Sequence, residues 1–217
     1  MPLHVWPWVF KRFVRPGRPF GDDLQGGHAM ASDKNHEGLV CQLISTPAGW
    51  LGLVAGLRGL REIQLYTASP LALEQIAARF PEAPEGWCEA LVEARKQLLE
   101  YFAGTRRQFT LPLDWGAMSE FRRCVLQRLQ LLPYAAVTTY GQLAREVGSP
   151  HGARAVGAAM AANPFVIVVP CHRVVGRGGR MVGYSGGGGV DSKKWLLNFE
   201  QEVAAAASLE NFNNDAR

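Results

Sequence analysis

Residues 165–175 read Phe165-Val166-Ile167-Val168-Val169-Pro170-Cys171-His172-Arg173-Val174-Val175. The first five are apolar, and three valines and an isoleucine give them the β-branched content of a buried strand. Pro170 has no N–H to offer a sheet and marks a bend. The expectation is therefore a buried strand over 165–169 that delivers Cys171 to a turn. A thiol becomes a strong nucleophile as its thiolate, and a nearby base or cation makes that form accessible. His172 follows directly. A histidine that relays a proton needs a third group to orient it, usually a carboxylate. Asp191 and Glu200, further along the chain, are the candidates. A cysteine beside a histidine is a weak signal by itself, because a buried structural cysteine next to an ordinary histidine has the same pattern.

After this stretch comes a Gly-rich loop, 176–189, and then a helix containing Trp195, Leu196, Leu197 and Phe199 that is expected to end near Glu200. Residues 201–217 read as a flexible tail, Ala-rich and then polar. Before it lie two short helical segments, Tyr140 to Val147 and Gly152 to Ala162, separated by Gly148-Ser149-Pro150. Two helices joined by a short Gly-containing turn have the form of a helix-turn-helix. The second is lean (Ala153, Ala155, Gly157, Ala158, Ala159, Ala161, Ala162), so its backbone can approach closely to whatever it docks on, whether DNA or a neighbouring core helix. Ser119 is placed to cap a further helix running to about Leu131, with Phe121, Val125, Leu129 and Leu132 as its apolar stripe. No Asp or Glu occurs from Val147 to Val190, whereas Arg154, Arg173, Arg177 and Arg180 do. Such a one-sided stretch suits phosphate contact, or a solvated glycine-rich surface.

Towards the N-terminus, residues 39–44, 50–54 and 60–66 are short apolar runs broken by Gly and Pro, the pattern of a small antiparallel sheet. Residues 70–80 and 87–103 have helical spacing, and Pro112 keeps 109–113 extended. The chain thus divides into an N-terminal α/β domain over 37–113 and a C-terminal domain over 117–200. Residues 1–36, with Lys11, Arg12, Arg15 and Arg18 among aromatic side chains, form a basic extension expected to be disordered. The 217 residues are 47% hydrophobic and 19% charged with a formal net charge of +4, which suits a packed domain and excludes an intrinsically disordered chain. No apolar run reaches the ~18 residues of a membrane span. The four cysteines, Cys41, Cys88, Cys124 and Cys171, contain no C-x-x-C pair, and reduced thiols in the cytosol are expected.

With these residues in view, Pro170-Cys171-His172-Arg173-Val174 resembles the active-site motif of the O6-alkylguanine-DNA alkyltransferases, or methylated-DNA–protein-cysteine methyltransferases. The likeness includes Tyr140-Gly141-Gln142-Leu143-Ala144, Ala153-Arg154-Ala155-Val156-Gly157, Asn163-Pro164, Gly183-Tyr184-Ser185-Gly186-Gly187 and Lys194-Trp195-Leu196-Leu197, and ends at Glu200. A weaker likeness covers residues 44–113. It implies an α+β fold: a ribonuclease H-like N-terminal domain with an antiparallel sheet, then a winged helix-turn-helix domain that carries the active site.

The resemblance also implies direct-reversal repair. O6-alkylguanine, and O4-alkylthymine as well, would be flipped out of duplex DNA and its alkyl group moved irreversibly to Cys171, once per molecule. His172, acting through a water and held by Glu200, would take the thiol proton. Tyr140 would help rotate the nucleotide and donate toward guanine N3, and Asn163 would brace the turn into the site. Met160, Val174, Met181, Tyr184, Ser185 and Gly186 would line the pocket, with Arg154 filling the vacated stack and Ala153, Gly157, Ala158 and Tyr140 along the DNA. No cofactor and no metal are expected, because His28, His36, Cys41 and Cys88 do not reproduce the zinc pattern of some relatives. The implied partner is lesion-bearing duplex DNA, met by a monomer in the cytoplasm (or the nucleus of a eukaryote), with no membrane. The alternative is a non-catalytic alkyltransferase-like protein that binds lesions, but such proteins replace the acceptor cysteine. Two departures stand out: Ala135 where the family usually has Gly, and extra glycines, Gly188 and Gly189, beside the pocket.

Overall fold

The computed structural model describes residues 38–116 and 118–215; the basic extension of residues 1–36 lies outside them. Strands β1 (Val40–Thr46), β2 (Gly49–Gly56) and β3 (Gly59–Tyr66) form an antiparallel sheet in that order. Register runs from Thr46 opposite Gly49 to Val40 opposite Ala55, and from Trp50 opposite Tyr66 to Gly56 opposite Gly59. The central strand is buried on both faces. Leu51, Leu53 and Ala55 share a core with Leu91, Ala94 and Leu98 of helix α2 (Glu89–Phe102). Val54 packs instead with Ile76 of helix α1 (Ser69–Arg79). Alternate side chains of a strand point to opposite faces, so two helices can cover one strand. Gly52 allows the close approach of α1: a Cβ there would stand 2.6 Å from Ile76 Cδ1.

Helices α3 (Glu120–Gln130), α4 (Tyr140–Glu146) and α5 (Ala153–Ala161) follow. Ser119 caps α3, its hydroxyl accepting from Arg122 N–H at 3.4 Å. The buried residues of α3 are Val125, Leu126 and Leu129; Phe121, expected in the stripe, is exposed, and Leu126 takes its place. Thr139 caps α4 in the same way. Strands β4 (Thr138–Thr139) and β5 (Val174–Val175) pair in parallel and tie the entry of α4 to the segment after Cys171.

The segment 165–169, expected as a strand, is a turn instead. Phe165 lies beside Ile63 of β3, and the chain then doubles back so that Val166 faces Val169. Val168 N–H donates to Val166 O at 2.9 Å, closing a γ-turn around Ile167, whose φ is 74°. Pro170, at φ −81° and ψ 64°, makes the inverse γ-turn that follows, with Cys171 N–H donating to Val169 O at 2.8 Å. An apolar run reports burial, which all five residues have, and not extension.

Helix α6 (Val190–Asp215) corrects a second expectation, since it continues well beyond Glu200 into the span read as a flexible tail. Alanine, which fills positions 204–207, has the highest helix propensity of any residue type, and Val203 is buried in the core against Gly104.

Ala135, in the loop between α3 and β4, adopts φ 59° while its N–H donates to Glu200 Oε2 at 3.1 Å. A side chain in this region costs about 1–2 kcal/mol, partly offset in glycine by its greater unfolded-state freedom. Ala135→Gly should therefore raise stability by about 0.5–1 kcal/mol in urea denaturation; an unchanged or lowered midpoint would show that the loop carries no such strain.

Candidate active site

The site begins where α5 ends. Asn163 N–H donates to Met160 O at 3.1 Å, and its side chain is then fully engaged: Oδ1 accepts from Phe165 N–H at 3.0 Å, while Nδ2 donates to Val169 O at 2.9 Å and to Cys171 Sγ at 3.2 Å. Asn163 thus closes the turn over 163–169 and touches the thiol. Cys171, His172 and Arg173 form one turn of 3-10 helix, all three buried.

One face of α6 supplies the charges. Lys193, Leu196 and Glu200, spaced three and four apart, are each 0% exposed. Glu200 accepts five hydrogen bonds: from Tyr101 Oη at 2.8 Å, His172 Nε2 at 2.9 Å, Arg173 Nε and Nη2 at 2.8 Å each, and Ala135 N–H at 3.1 Å. Burial pushes its pKa up, but the bonds and charges of His172 and Arg173 outweigh that and hold it at about 2. Arg173 also donates to Leu132 O and Pro133 O and lies 5.5 Å over the Tyr134 ring. A buried carboxylate matched by a bidentate guanidinium satisfies the demand that interior charges be paired.

An ionised Glu200 fixes the histidine tautomer. The proton sits on His172 Nε2, and Nδ1 carries a lone pair with no hydrogen bond to the described residues. Burial lowers the His172 pKa from its usual value, the Glu200 contacts only partly opposing, so the ring is neutral at pH 7. Burial raises the Cys171 pKa, against the Asn163 hydrogen bond and the Lys193 charge. At rest the pair is a neutral thiol beside a neutral imidazole with a free basic nitrogen.

Tyr140, Gly157, Met160, Ala161, Cys171, Gly183, Tyr184 and Ser185 line a cavity of about 200 Å³ at the thiol. Of the expected pocket residues, Met160, Tyr184 and Ser185 are there. Gly186 is buried next to the Tyr184 ring, whereas Met181 is exposed and not in the lining. Val174 lies behind the lining; its carbonyl accepts from Lys193 Nζ at 2.6 Å. Tyr140 Oη donates to Val182 O at 3.3 Å across the mouth. Tyr184 Oη is buried with no partner among the described residues. Arg154 and Ala158 are exposed on α5, and Ala153 and Gly157 are half-buried. Asp191, the other carboxylate candidate, is exposed and pairs with Lys194 at 3.8 Å. Among the described residues no three His, Cys, Asp or Glu side chains group to hold a metal, and Cys41 Sγ donates to Ala83 O at 3.3 Å.

Sequence reasoning does not find Lys193, Tyr101 or Ala161 as site residues, and it groups Arg173 with the arginines suited to phosphate contact, whereas Arg173 is 4% exposed and bound to Glu200. The spacing of Lys193 with Leu196 and Glu200 on one helix face could flag the lysine; Tyr101, 99 positions from Glu200, has no such signal. Lys193 Nζ also donates to Val182 O at 3.1 Å and Gly183 O at 3.3 Å, so it fastens the loop that forms the outer wall.

Residues 120–202 match the family model of the 6-O-methylguanine DNA methyltransferase DNA binding domain, and residues 39–115 that of its ribonuclease-like domain. The chain is 42% identical over 138 residues to a methylated-DNA–protein-cysteine methyltransferase of Mycolicibacterium paratuberculosis, covering 62% of this chain and 82% of the relative. The crystal structure of the Mycobacterium tuberculosis O6-methylguanine methyltransferase matches with a TM-score of 0.64 at 34% identity, over 76% of this chain and 93% of that one. A structure of the Mycobacterium tuberculosis OGT in complex with DNA matches with a TM-score of 0.63 at 33% identity, over 74% and 92%.

The charge network yields a stability prediction. Glu200 has a folded pKa below its ordinary 4.5, so its contribution is complete above pH 4.5 and is lost as pH falls toward about 2. Glu200→Gln leaves Arg173 buried without its carboxylate and should cost about 3–5 kcal/mol in urea denaturation at pH 7. The variant should also lack the loss of stability that wild type shows over that acid window; equal stability at pH 7 would contradict the network.

Proposed function

This chain belongs to the 6-O-methylguanine DNA methyltransferase family, and from that premise we propose that it reverses alkylation of DNA by moving the alkyl group of O6-alkylguanine onto Cys171 Sγ. The observation that carries the proposal is the thiol at the wall of a cavity, beside a histidine whose Nε2 is bound to an ionised carboxylate.

The S–C bond forms as the C–O6 bond breaks. The thiol proton passes through a water to His172 Nδ1, and Glu200 stabilises the imidazolium that results. The electron pair left on the guanine is stabilised by a hydrogen bond at N3, for which Tyr140 exchanges its bond to Val182 O, and the His172 imidazolium is the balancing positive charge. Ser185 N–H faces O6, and the Cys171 carbonyl accepts from the guanine amino group; the Val174 carbonyl is taken by Lys193 Nζ. The thioether has no easy return to thiol, so each molecule acts once. Guanine reaches this cavity only out of the base stack, at a cost of a few kcal/mol. The lean α5, with Ala153, Gly157 and Ala158, approaches the groove, and Arg154, exposed at its start, occupies the gap left by the flipped base. On the same reading the protein works as a monomer in the cytoplasm. Separately, among the described residues no helix is long and apolar enough to cross a membrane.

Incubation with duplex DNA bearing O6-methylguanine, followed by digestion and mass spectrometry, should show one methyl in place of hydrogen on the Cys171 peptide, at no more than one per molecule. Cys171→Ala should keep DNA binding and lose transfer. Binding without any mass gain in the wild type would favour the lesion-binding alternative. A separate test addresses Arg154: Arg154→Ala should slow repair of duplex DNA more than reaction with free O6-benzylguanine, and equal losses would remove its role in the stack.

A further inference from the structure

The outer edge of β3 holds both walls of the site. Ile63 N–H donates to Pro164 O at 2.7 Å and Ile63 O accepts from Val166 N–H at 3.1 Å, on the Asn163 side. Leu65 O accepts from Gly187 N–H at 2.7 Å, on the side of the Gly-rich loop. Between them, on the opposite face of the strand, the half-buried Gln64 donates from Nε2 to Asn163 O at 3.1 Å.

That last bond is the hydrogen bond to the carbonyl of the Asn163–Pro164 peptide, which the Asn163 Oδ1 bond to Phe165 N–H spans from its other side. Asn163 precedes Pro164, so the peptide joining them has a carbonyl but no N–H. Proline confines Asn163 to extended conformations without fixing its ψ within them. The Gln64 amide helps to set that angle from outside the turn, together with the bond from Phe165 N–H to Asn163 Oδ1 within it. Asn163 is 1% exposed, and both hydrogens of its Nδ2 are committed, one to Val169 O and one to Cys171 Sγ. A small rotation of the backbone would carry the side chain away from the sulfur.

We propose that Gln64, in the N-terminal sheet, is a positioning residue for alkyl transfer: its side-chain amide holds the Asn163 carbonyl so that Asn163 Nδ2 stays on the Cys171 sulfur. Its role in transfer rests on the reading above, while its effect on the thiol can be measured without DNA. Gln64 is not among the residues that line the cavity; it acts through Asn163.

Gln64→Met keeps the length of the side chain and removes the donor; Gln64→Leu removes it with a different shape, in case the first fails to fold. The Cys171 peptide is followed by mass spectrometry during reaction with iodoacetamide across a pH series, and in parallel with O6-methylguanine DNA. Loss of the bond should slow Cys171 at pH 7 by about 2–10-fold in both reactions, the range of one hydrogen bond. The midpoint of the pH profile should move up, with an unchanged plateau at high pH. A variant that matches wild type in rate and midpoint overturns the positioning. A wild type whose Cys171 reacts with iodoacetamide but takes no methyl group from DNA overturns the transfer reading instead, and with it Gln64's part in transfer.

Discussion

The site depends on a single buried carboxylate. Glu200 has no exposure to solvent, yet it stays ionised because five hydrogen bonds converge on its two oxygens. The donors come from α2, from the loop before β4 and from the 3-10 turn of Cys171, while α6 supplies the carboxylate itself. An interior charge is tolerated only when paired and fully hydrogen-bonded. The same requirement that stabilises the anion therefore ties the two halves of the molecule together around it. Tyr101 reaches Glu200 from the N-terminal half, so the helix under the sheet has a direct part in the alignment of His172.

The charge of Glu200 then determines the protonation states next to it. It places the His172 proton on Nε2 and leaves Nδ1 basic, while burial keeps both His172 and Cys171 uncharged at rest. A neutral thiol in a cavity of about 200 Å³ is poorly reactive toward stray electrophiles. Lys193 adds a positive charge near the sulfur, and it is held in place by three carbonyls of the surrounding loops. Asn163 completes the surroundings of the sulfur.

Much of this is legible in the sequence. Helical spacing and the Ser119 cap place α3, and the small residues of 153–162 mark α5 as a helix that can be approached closely. The run of motifs identifies the Cys171–His172 pair and Glu200, and the structure brings all three together. The run 165–169 misleads because consecutive apolar residues report only burial; the two γ-turns arise from Asn163 and Pro170 acting across the segment, which no local pattern encodes. The helix beyond Glu200 escapes a reading by periodicity because its Ala-rich surface has no apolar stripe, although propensity alone favours it. Val174 and Met181 enter the pocket only by resemblance; the first is covered by Lys193 and the second faces outward, both consequences of how the glycine-rich loop folds. Tyr101 and Gln64 cannot be found from sequence, since each acts on a residue 99 positions away.

The central claim is that an ionised Glu200 holds a neutral His172 with its proton on Nε2, beside an uncharged Cys171. The nitrogen chemical shifts of the His172 ring in 15N-labelled protein at pH 7 test this most directly. The account requires a protonated Nε2 and a bare Nδ1. Two protonated nitrogens, the mark of an imidazolium–thiolate pair at rest, would contradict it.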